Sequence, residues 1–402
     1  MSPSFSSLLA TALVASQAVL ALPTSSSESL GESSSSPAGS WSIKQARDVH
    51  QTVDGAVSLA ELYSKYEVLM PHKFLIPTKI GRAGRSIYNL IFDTSAIGIW
   101  VHSRETANPK ALQSPYIQHR YFPGHLVDGY SWKTNDPNGN IASGIGYVET
   151  VSIGGLEVRD QTIQVAQTAP SHFNDFQSVS GVLGFALSAS GKKTFYPDFG
   201  LFENALFNLG QDVITVDMKH CSTGRIDIGM IEELAYNGFI GYSKVVAEGN
   251  YWNFTAQILG DFDVKNLDYN KIKGQGLEKV VADSASDLLM LPTKYIEEYY
   301  QEVDRAFYSK IDGGYVFPCD SKLPDFTFMS GNTRIAIPGR YLKLNHVDKE
   351  FDICFEALQS SEELGINILG GPAFKSAFVV FNPMKSESGW ARKDLMDEQS
   401  GW

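Results

Sequence analysis

The sequence predicts an all-β protein, mainly antiparallel, in which two similar lobes enclose a central cleft. Three observations support this prediction. The 402 residues include 35 Gly and 12% aromatic but only 19% charged residues, a composition that favours sheets over amphipathic helices. The hydrophobic content of 43% can fill one large core or two smaller ones. Finally, one strand–turn–strand pattern occurs twice, which indicates an internal repeat.

The beginning of the chain is typical of a protein that enters the secretory pathway. Residues 1–21 contain an apolar run that ends in Val19-Leu20-Ala21, a pattern that predicts a cleaved signal peptide. We therefore expect a protein that is secreted or held in the endomembrane lumen. Residues 22–39 are rich in serine and predict a disordered tether. One glycosylation sequon begins at Asn253, in a strand-like run, and the sequence leaves its occupancy open.

The remaining chain divides into one further segment and the two lobes. In residues 40–71, four apolar residues share the spacing of one helical face: Val57, Leu59, Leu62 and Tyr63. A strand is expected near Ile43. The N-terminal lobe is predicted to span residues 72–245 and the C-terminal lobe residues 246–402, in a protein that acts as a monomer.

The charge of the chain limits the partners that it can have. The net charge of -12 and the isoelectric point near 5.2 argue against binding to nucleic acid or to an anionic membrane. After the signal peptide, no stretch of sequence is long and apolar enough to predict a membrane span. We therefore expect the partner to be a small-molecule substrate or a peptide that lies in the cleft between the lobes.

The repeated pattern places an aspartate at the end of a strand in each half of the chain. The first copy reads "LIFDTSAIGIW" around Asp93, and the second reads "VVADSASDLLML" around Asp283. Each copy is followed, at a similar distance, by two apolar residues and a glycine, Gly184 or Gly370. A rough two-fold axis between the lobes would bring the two aspartates together in the cleft.

Two facing carboxyls form an acid–base pair. When they lie a few ångströms apart they cannot both ionise, so one keeps its proton while the other stays charged. Such a pair can protonate one atom of a substrate and take a proton from another without a metal. The sequence contains no HExxH, CxxC, GxSxG or Gly-rich phosphate motif. We therefore predict that Asp93 and Asp283 are catalytic, with no metal ion and no cofactor.

Several longer stretches resemble the pepsin-like aspartic proteases, in particular the aspergillopepsin-type enzymes that fungi secrete. They include "SGVLGFALS" and "DMKHCSTGRIDIG" in the first half, and "DGGYVFPCDSKLPDFTF", "RIAIPGRYL" and "GINILGGPAFKSAFVVFN" in the second. The resemblance runs from about Ser40 to the C-terminus. It implies a bilobal pepsin-like fold and a disulfide between Cys319 and Cys354, which leaves Cys221 unpaired. A bridge that closes about 35 residues stabilises by about 3–4 kcal/mol in the chain-entropy model.

The two aspartate turns depart from the pattern of that family. The family has Asp-Thr-Gly followed by Ser or Thr, whereas this chain has Asp93-Thr94-Ser95-Ala96 and Asp283-Ser284-Ala285-Ser286. Both glycines are replaced, so Ser95 and Ala285 bring a side chain next to the carboxyls. The resemblance implies that two retained hydroxyl residues brace the turns from below: Thr94 and Ser284.

An asymmetry between the turns predicts different roles for the two carboxyls. Ala96 lacks the hydroxyl group that Ser286 would offer to its aspartate. A hydrogen bond to a carboxylate favours the charged form. We therefore expect Asp93 to hold the proton as the acid, and Asp283 to act as the base.

The hairpin that would cover the cleft departs from the family as well. The family has Trp, three residues and then Tyr-Gly, where this chain has "WKTNDPNGNIASG" from Trp132 to Gly144. Asp136 and Pro137 therefore stand where the resemblance implies the tyrosine and glycine of a lid. Asp136 would add a third carboxyl over the cleft, and Pro137 would stiffen the turn and remove a backbone donor.

Residues 40–71 resemble the removable propeptide of these proteases. The activation stretch that would separate a propeptide from the first lobe is missing, because "HKFLIPTKIG" follows Pro71 directly. We therefore expect the segment to stay attached, with the strand near Ile43 paired in the sheet between the lobes.

The retained aspartates and their altered surroundings leave three functions open. The first is acid–base chemistry on a small molecule, such as isomerisation, dehydration or cyclisation in fungal secondary metabolism. The second is hydrolysis of peptide bonds by an atypical endopeptidase. The third is non-catalytic binding of a ligand in the cleft. We rank the first highest because the departures concentrate at catalytic positions while both aspartates remain.

Overall fold

The computed structural model describes residues 57–58, 73–81, 87–103, 106, 124–135, 141–153, 156–169, 179–187, 200–201, 204, 212–220, 224–246, 251–259 and 276–395. The predicted signal peptide, the tether and the strand near Ile43 lie outside these residues. So do Cys221, Asp136 and Pro137, and the predictions made for them stay predictions.

The described residues form 24 strands and two α-helices. In the first half of the chain the strands are β1 (Val57–Ser58), β2 (Phe74–Ile80), β3 (Ile87–Asp93), β4 (Ile99–His102), β5 (His125–Asn135), β6 (Ile141–Ile153), β7 (Leu156–Thr168), β8 (Gly181–Gly184), β9 (Ile214–Met218), β10 (Gly224–Ile228) and β11 (Asn237–Lys244). In the second half they are β12 (Asn253–Ile258), β13 (Leu277–Ala282), β14 (Leu289–Leu291), β15 (Phe307–Ser309), β16 (Gly314–Pro318), β17 (Phe326–Ser330), β18 (Thr333–Ile337), β19 (Lys343–Asp348), β20 (Ile353–Glu356), β21 (Leu358–Ser360), β22 (Ile368–Leu369), β23 (Ala377–Asn382) and β24 (Glu387–Arg392). The helices are α1 (Thr293–Tyr300) and α2 (Gly371–Ser376).

The helix predicted at Val57 is wrong. Val57 and Ser58 form β1, whose antiparallel partners are Leu75 and Phe74 in β2. The edge of β2 offers backbone donors and acceptors, and valine is β-branched and favours strands. At Val57, pairing with this edge therefore overrides the helical spacing, while Leu59, Leu62 and Tyr63 lie outside the described residues.

Four sheets carry the fold, and they confirm the predicted all-β architecture of two lobes. The first lobe contains an eight-stranded sheet in the order β1-β2-β3-β8-β4-β7-β6-β5, with β2 also paired to β6. The second lobe contains a seven-stranded sheet in the order β18-β17-β12-β13-β22-β14-β21 and a four-stranded sheet, β15-β16-β20-β19. Strands β5, β6 and β7 are 11 to 13 residues long and pair as two antiparallel hairpins, which form one side of the first sheet.

The repeat predicted from the sequence is present as one strand motif in each lobe. In the first lobe β3 ends at Asp93 and runs parallel to β8, which pairs antiparallel with β4. In the second lobe β13 ends just before Asp283 and runs parallel to β22, which pairs antiparallel with β14. At the next position of each sheet, β4 runs parallel to β7 in the first lobe, and β14 runs parallel to β21 in the second. The two aspartates therefore leave equivalent inner strands.

The glycines of the repeat, Gly184 and Gly370, are required by close backbone contact. A Cβ on Gly184 would lie 2.4 Å from the carbonyl oxygen of Ala96. A Cβ on Gly370 would lie 2.2 Å from the carbonyl oxygen of Leu288. Both distances are shorter than any real carbon–oxygen contact, so only glycine lets the neighbouring strand approach each aspartate turn.

A five-stranded sheet joins the two halves of the chain in the order β10-β9-β23-β24-β11. β23 lies between β9 and β24, so the end of the chain pairs with a strand of the first half. Lys393, just after β24, is buried and its Nζ lies 2.8 Å from Oδ1 of Asp217 in β9. The lobe boundary predicted at residue 245 falls between β11 and β12.

The second lobe is closed by a dense apolar core and one disulfide. Large side chains from its strands and from α2 are fully buried, among them Phe254, Phe374 and Trp390. Cys319, just after β16, is bonded to Cys354 in β20, which confirms the predicted pair. Within the ranges that the structure describes, no helix combines the length and the apolar character needed to cross a membrane.

Candidate active site

The two aspartate turns are locked together by four hydrogen bonds. The backbone N–H of Thr94 donates to Oγ of Ser284 at 3.0 Å, and the N–H of Ser284 donates to Oγ1 of Thr94 at 2.9 Å. The Thr94 hydroxyl in turn donates to the carbonyl of Ala282 at 2.8 Å. The Ser284 hydroxyl donates to the carbonyl of Phe92 at 3.0 Å. These four hydrogen bonds, which we call the grip, cross from one lobe to the other and fix the positions of both carboxyls.

The carboxyl of Asp93 is buried and accepts three hydrogen bonds. Its side chain is almost free of solvent contact, with 1% exposure. Oδ1 accepts from the N–H of Ser95 at 2.7 Å, from the Ser95 hydroxyl at 2.7 Å and from the N–H of Ala96 at 3.1 Å. The side chain of Ser95 therefore does more than occupy space beside the carboxyl, because it supplies the hydroxyl that Ala96 lacks.

The carboxyl of Asp283 is equally buried but accepts fewer hydrogen bonds from the described residues. Its Oδ1 accepts from the N–H of Ala285 at 2.9 Å and from the N–H of Ser286 at 3.1 Å. The hydroxyl of Ser286 turns away and donates to the carbonyl of Leu288 at 3.3 Å. The expectation that this hydroxyl serves Asp283 is wrong, because the backbone carbonyl is the acceptor that its rotamer reaches.

These contacts reverse the roles predicted for the two aspartates. Burial is the largest effect and raises the pKa of both carboxyls. The negative charge of Asp93 raises the pKa of Asp283 further, well above its usual range. For Asp93, the hydroxyl and N–H of Ser95 and the N–H of Ala96 lower the pKa and offset part of the effect of burial. The geometry therefore assigns the proton to Asp283 and the negative charge to Asp93.

Lys73 is a component of the site that the sequence analysis missed. It immediately precedes β2 and is 3% exposed. Its Nζ lies 3.0 Å from Oδ2 of Asp287 and donates to the carbonyl of Ala285. Its positive charge lowers the pKa of both Asp93 and Asp283. A cation thus lies beside the two carboxyls, held by the second aspartate turn.

Only a weak signal in the sequence could have identified this pair. Asp287 is the one charged residue between Asp283 and Pro292, in a stretch that is otherwise apolar or small. A lone charge in such a stretch needs a partner when it is buried. The identity of the partner depends on the contact between lobes, which no local pattern contains.

Tyr251 is the second residue of the site that the sequence did not indicate. It precedes β12 and packs against the apolar cluster that contains Leu288 and Met290. Burial raises the pKa of its phenol to about 12, and the charges of Asp283 and Asp93 contribute to the rise. The phenol therefore stays protonated and uncharged beside the two carboxyls.

The hairpin of β5 and β6 packs beside the aspartate turns. Trp132 in β5 lies opposite Gly144 in β6. The Trp132 ring is 5% exposed, and its centroid lies 6.2 Å from that of Trp100 in β4. This tryptophan pair, with Ala96 and Ala285, belongs to one buried apolar cluster. The carboxyls therefore lie next to an apolar wall.

The sequon asparagine is packed inside the second lobe. Asn253 is 6% exposed in β12, a strand that has β13 on one side and β17 on the other. A glycan on this side chain would require the strand to lose its packing. The structure therefore favours an unmodified Asn253.

Replacing Thr94 with Val is expected to weaken both folding and catalysis. Val keeps the shape of Thr94 but removes the donor to Ala282 and the acceptor for the N–H of Ser284. Leaving buried polar groups without partners costs about 1–3 kcal/mol each, so we expect the free energy of unfolding to fall by about 3 kcal/mol. Urea unfolding measures this loss, and turnover should fall with it because the carboxyls are no longer fixed.

Thr106→Val is a matched control for that variant. Oγ1 of Thr106 likewise accepts a hydrogen bond from the N–H of Ser103 at 2.8 Å. The same hydroxyl donates to the carbonyl of Ala166 at 2.6 Å. These bonds lie within one lobe, so this variant should lose stability and keep its turnover. An equal loss of turnover in both variants would show that the grip has no special role in placing the carboxyls.

The chain is similar to known proteases over most of its length. A family model described as eukaryotic aspartyl protease matches residues 73–393. Endothiapepsin from Cryphonectria parasitica is 31% identical over 376 residues, which cover 86% of this chain and 88% of that protein. Podosporapepsin from Podospora anserina is 34% identical over 310 residues, which cover 77% of this chain and 71% of that protein.

A solved structure shares the same fold. The crystal structure of an aspartic proteinase from Irpex lacteus superposes with a TM-score of 0.62 and covers 82% of this chain and 96% of that chain. The sequence identity in this comparison is 16%, so the likeness concerns the fold alone.

Proposed function

Because the chain belongs to the pepsin-like family of eukaryotic aspartyl proteases, we propose that Asp93 and Asp283 form an acid–base catalyst that acts on a compact small molecule. The observation that carries the proposal is the buried and braced pair of carboxyls with unequal hydrogen bonding. Burial raises the pKa of both carboxyls, and the pKa of Asp283 rises further than that of Asp93, so the pair holds one proton and presents an acid and a base at once. A protein that only binds a ligand would not need this arrangement.

In the proposed reaction each carboxyl moves one proton. Asp283 donates its proton to a carbonyl or hydroxyl oxygen of the substrate, while the Asp93 carboxylate takes a proton from a neighbouring carbon. In an isomerisation the substrate keeps its atoms and shifts a double bond. In a dehydration the protonated hydroxyl leaves as water as the double bond forms. A proton that passes from Asp93 back to Asp283 then restores the starting state.

The surroundings of the carboxyls suit a compact, largely apolar substrate. Trp100, Trp132 and the methyl group of Ala285 provide an apolar wall. In the family pattern, glycine leaves room for a backbone beside the turns, and this chain has Ser95 and Ala285 there. We place the reaction in the secretory pathway or outside the cell, in a monomeric protein, and secondary metabolism is the setting that fits such chemistry.

The proposal is tested by identifying the substrate. The gene is deleted in the source organism, and the small molecules of the deletion strain are compared with those of the parent. We expect one compound to accumulate, and we expect the purified protein to convert that compound without added metal or cofactor. If the deletion changes only the peptides in the culture, the proposal fails.

Hydrolysis of peptide bonds is the second candidate function. The observation that favours it is the intact grip between Thr94 and Ser284, because a disused protease site would have no reason to keep all four hydrogen bonds. The two candidates use the same carboxyls and differ in what the cleft admits, so they are separated by assays with peptide substrates.

A further inference from the structure

Lys73 and Asp287 form a charged bridge between the lobes beside Asp283. Lys73 belongs to the first lobe, one residue before β2, and Asp287 belongs to the second aspartate turn. Their side chains are 2% and 10% exposed, and Nζ lies 3.0 Å from Oδ2. The same ammonium donates to the carbonyl of Ala285, which lies between the two acids in the turn.

Stability alone does not account for a bridge of this kind. Removing two charges from water costs about as much as their attraction returns, and apolar side chains of similar volume are often equal or better. A buried lysine and a buried aspartate next to two further carboxyls therefore require another explanation. The ammonium contacts the backbone of the turn that carries Asp283. This contact indicates that Lys73 limits which ligands can bind along the turn.

An extended peptide needs backbone partners along a cleft. A peptide strand presents an N–H or a carbonyl at every residue, and ligands of this type gain much of their affinity from main-chain hydrogen bonds. The Ala285 carbonyl, two residues after Asp283, is an acceptor that such a ligand could use, and Lys73 already occupies it. Displacing the ammonium would leave the Asp287 carboxylate buried without its partner, which is strongly unfavourable.

We propose that the bridge of Lys73 and Asp287 determines the specificity of the cleft, because it excludes extended peptides and admits compact molecules. A compact substrate can reach Asp93 and Asp283 without using the Ala285 carbonyl. The inference rests on the proposed function, since it explains how a protease-like cleft selects a small molecule.

The chain contains a matched ion pair that serves as a control. Nζ of Lys393 lies 2.8 Å from Oδ1 of Asp217, with side chains 4% and 13% exposed. This ammonium also donates to backbone carbonyls, those of Met218 and Phe374. The pair has the same chemistry and similar burial as the bridge, and it lies in the sheet that joins the lobes and not at the aspartate turns.

The test compares three full-length proteins: the parent, Lys73→Ser/Asp287→Ser and Lys393→Ser/Asp217→Ser. Both double variants remove a pair of charges together, so neither leaves a buried charge alone. The probe is a fluorescein-labelled octapeptide with aromatic residues on both sides of a central hydroxyethylene group, which the protein cannot hydrolyse. Fluorescence anisotropy at about pH 5 gives its dissociation constant, and urea unfolding gives the stability of each protein.

We expect the probe to bind about tenfold more tightly to the Lys73→Ser/Asp287→Ser variant than to the parent, since one backbone acceptor becomes available. The control variant should lose stability and keep the parent's weak affinity. If affinity does not rise in the first variant, or rises equally in the control, the bridge does not determine specificity. If the first variant does not fold, Lys73→Met/Asp287→Leu, which keeps the volume, replaces it in the same comparison.

The same experiment separates this inference from the proposed function. Tight binding of the probe to the parent, with cleavage of an ordinary peptide of the same sequence, would show that the cleft admits peptides, and both would fail. Weak binding to all three proteins would overturn only the role of the bridge, because the parent would still reject peptides.

Discussion

Asp93→Asn is expected to lower turnover of the substrate by about 10²–10⁴-fold, because the variant has no base to accept the proton from carbon. Asp283→Asn should lower turnover to a similar extent, since it removes the acid. Both amides have nearly the size of the carboxyls and keep the acceptor oxygen that the turn N–H groups contact. Thermal unfolding should therefore show that both variants stay folded.

The control for these variants is an aspartate of the second lobe that is far more exposed than Asp93 or Asp283. The side chain of Asp320 is 72% exposed and lies 3.2 Å from Arg305, so Asp320→Asn should change neither fold nor turnover. If Asp93→Asn and Asp283→Asn convert the substrate as fast as Asp320→Asn does, the carboxyls are not the catalyst and the cleft acts by its shape alone.

Glu356→Gln is expected to remove most of the loss of stability that the protein suffers as pH rises from about 5 to 8. Glu356 lies in β20 with no exposed surface, and burial raises its pKa to about 8, although the hydroxyls of Tyr299 and Tyr300 partly offset the rise. Each of these hydroxyls has a single proton and donates it to a backbone carbonyl, that of Pro324 or Leu358, and not to the carboxyl of Glu356. A charged Glu356 therefore has little to compensate its lost hydration.

The sign of this effect follows from the direction of the shift. An acid whose folded pKa is raised binds more protons in the native state than in the unfolded state, so stability falls as pH rises between the two values. Below about pH 4.5 Glu356 carries no penalty, and above pH 8 the full penalty of about 5 kcal/mol applies. At about pH 8 the Glu356→Gln variant should thus be more stable than the parent by several kcal/mol.

Urea unfolding at several pH values measures this difference. Glu350→Gln, on an exposed turn, is the control and should follow the parent at every pH. Parallel stability curves for the parent and for Glu356→Gln would contradict the account of a buried, neutral Glu356. His102 acts in the opposite direction, because burial lowers its pKa to about 4 and stability is lost as pH falls from 6.5 towards that value. His102 contributes equally to the stability of the parent and of Glu356→Gln, so it does not affect the difference between them.

The sequence was sufficient to predict the features that occur once in each lobe. The two aspartate turns and the glycines that approach them, Gly184 and Gly370, have the predicted relation, because one strand motif needs the same residue types each time. The disulfide followed from the resemblance to the family and is present. Where the prediction depended on local spacing alone, at Val57, the edge of a neighbouring strand decided the structure.

The details of the site could not be predicted because they depend on rotamers and on contacts between distant residues. Side-chain torsions decide which hydroxyl reaches a carboxyl. The Ser95 hydroxyl donates to Asp93, whereas the Ser286 hydroxyl donates to the carbonyl of Leu288 and does not reach Asp283. The contact of Lys73 with the second turn joins residues 212 positions apart. Such a contact exists only once both lobes are folded, so no pattern in either half contains it.

The measurement that tests the central claim most directly is an assay of peptide hydrolysis by the parent protein. Denatured globin and casein are incubated with the purified protein between about pH 3 and 6, with and without a statine-type inhibitor, and Asp93→Asn is assayed in parallel. Our account predicts negligible cleavage at every pH and no effect of the inhibitor. It predicts that Ser95→Gly/Ala285→Gly/Asp136→Tyr, which restores the family residue at three positions, gains activity, and that removal of the Lys73–Asp287 bridge from this variant raises the activity further. Rapid cleavage by the parent that the inhibitor blocks and that Asp93→Asn abolishes would contradict the account and show that the protein is an endopeptidase.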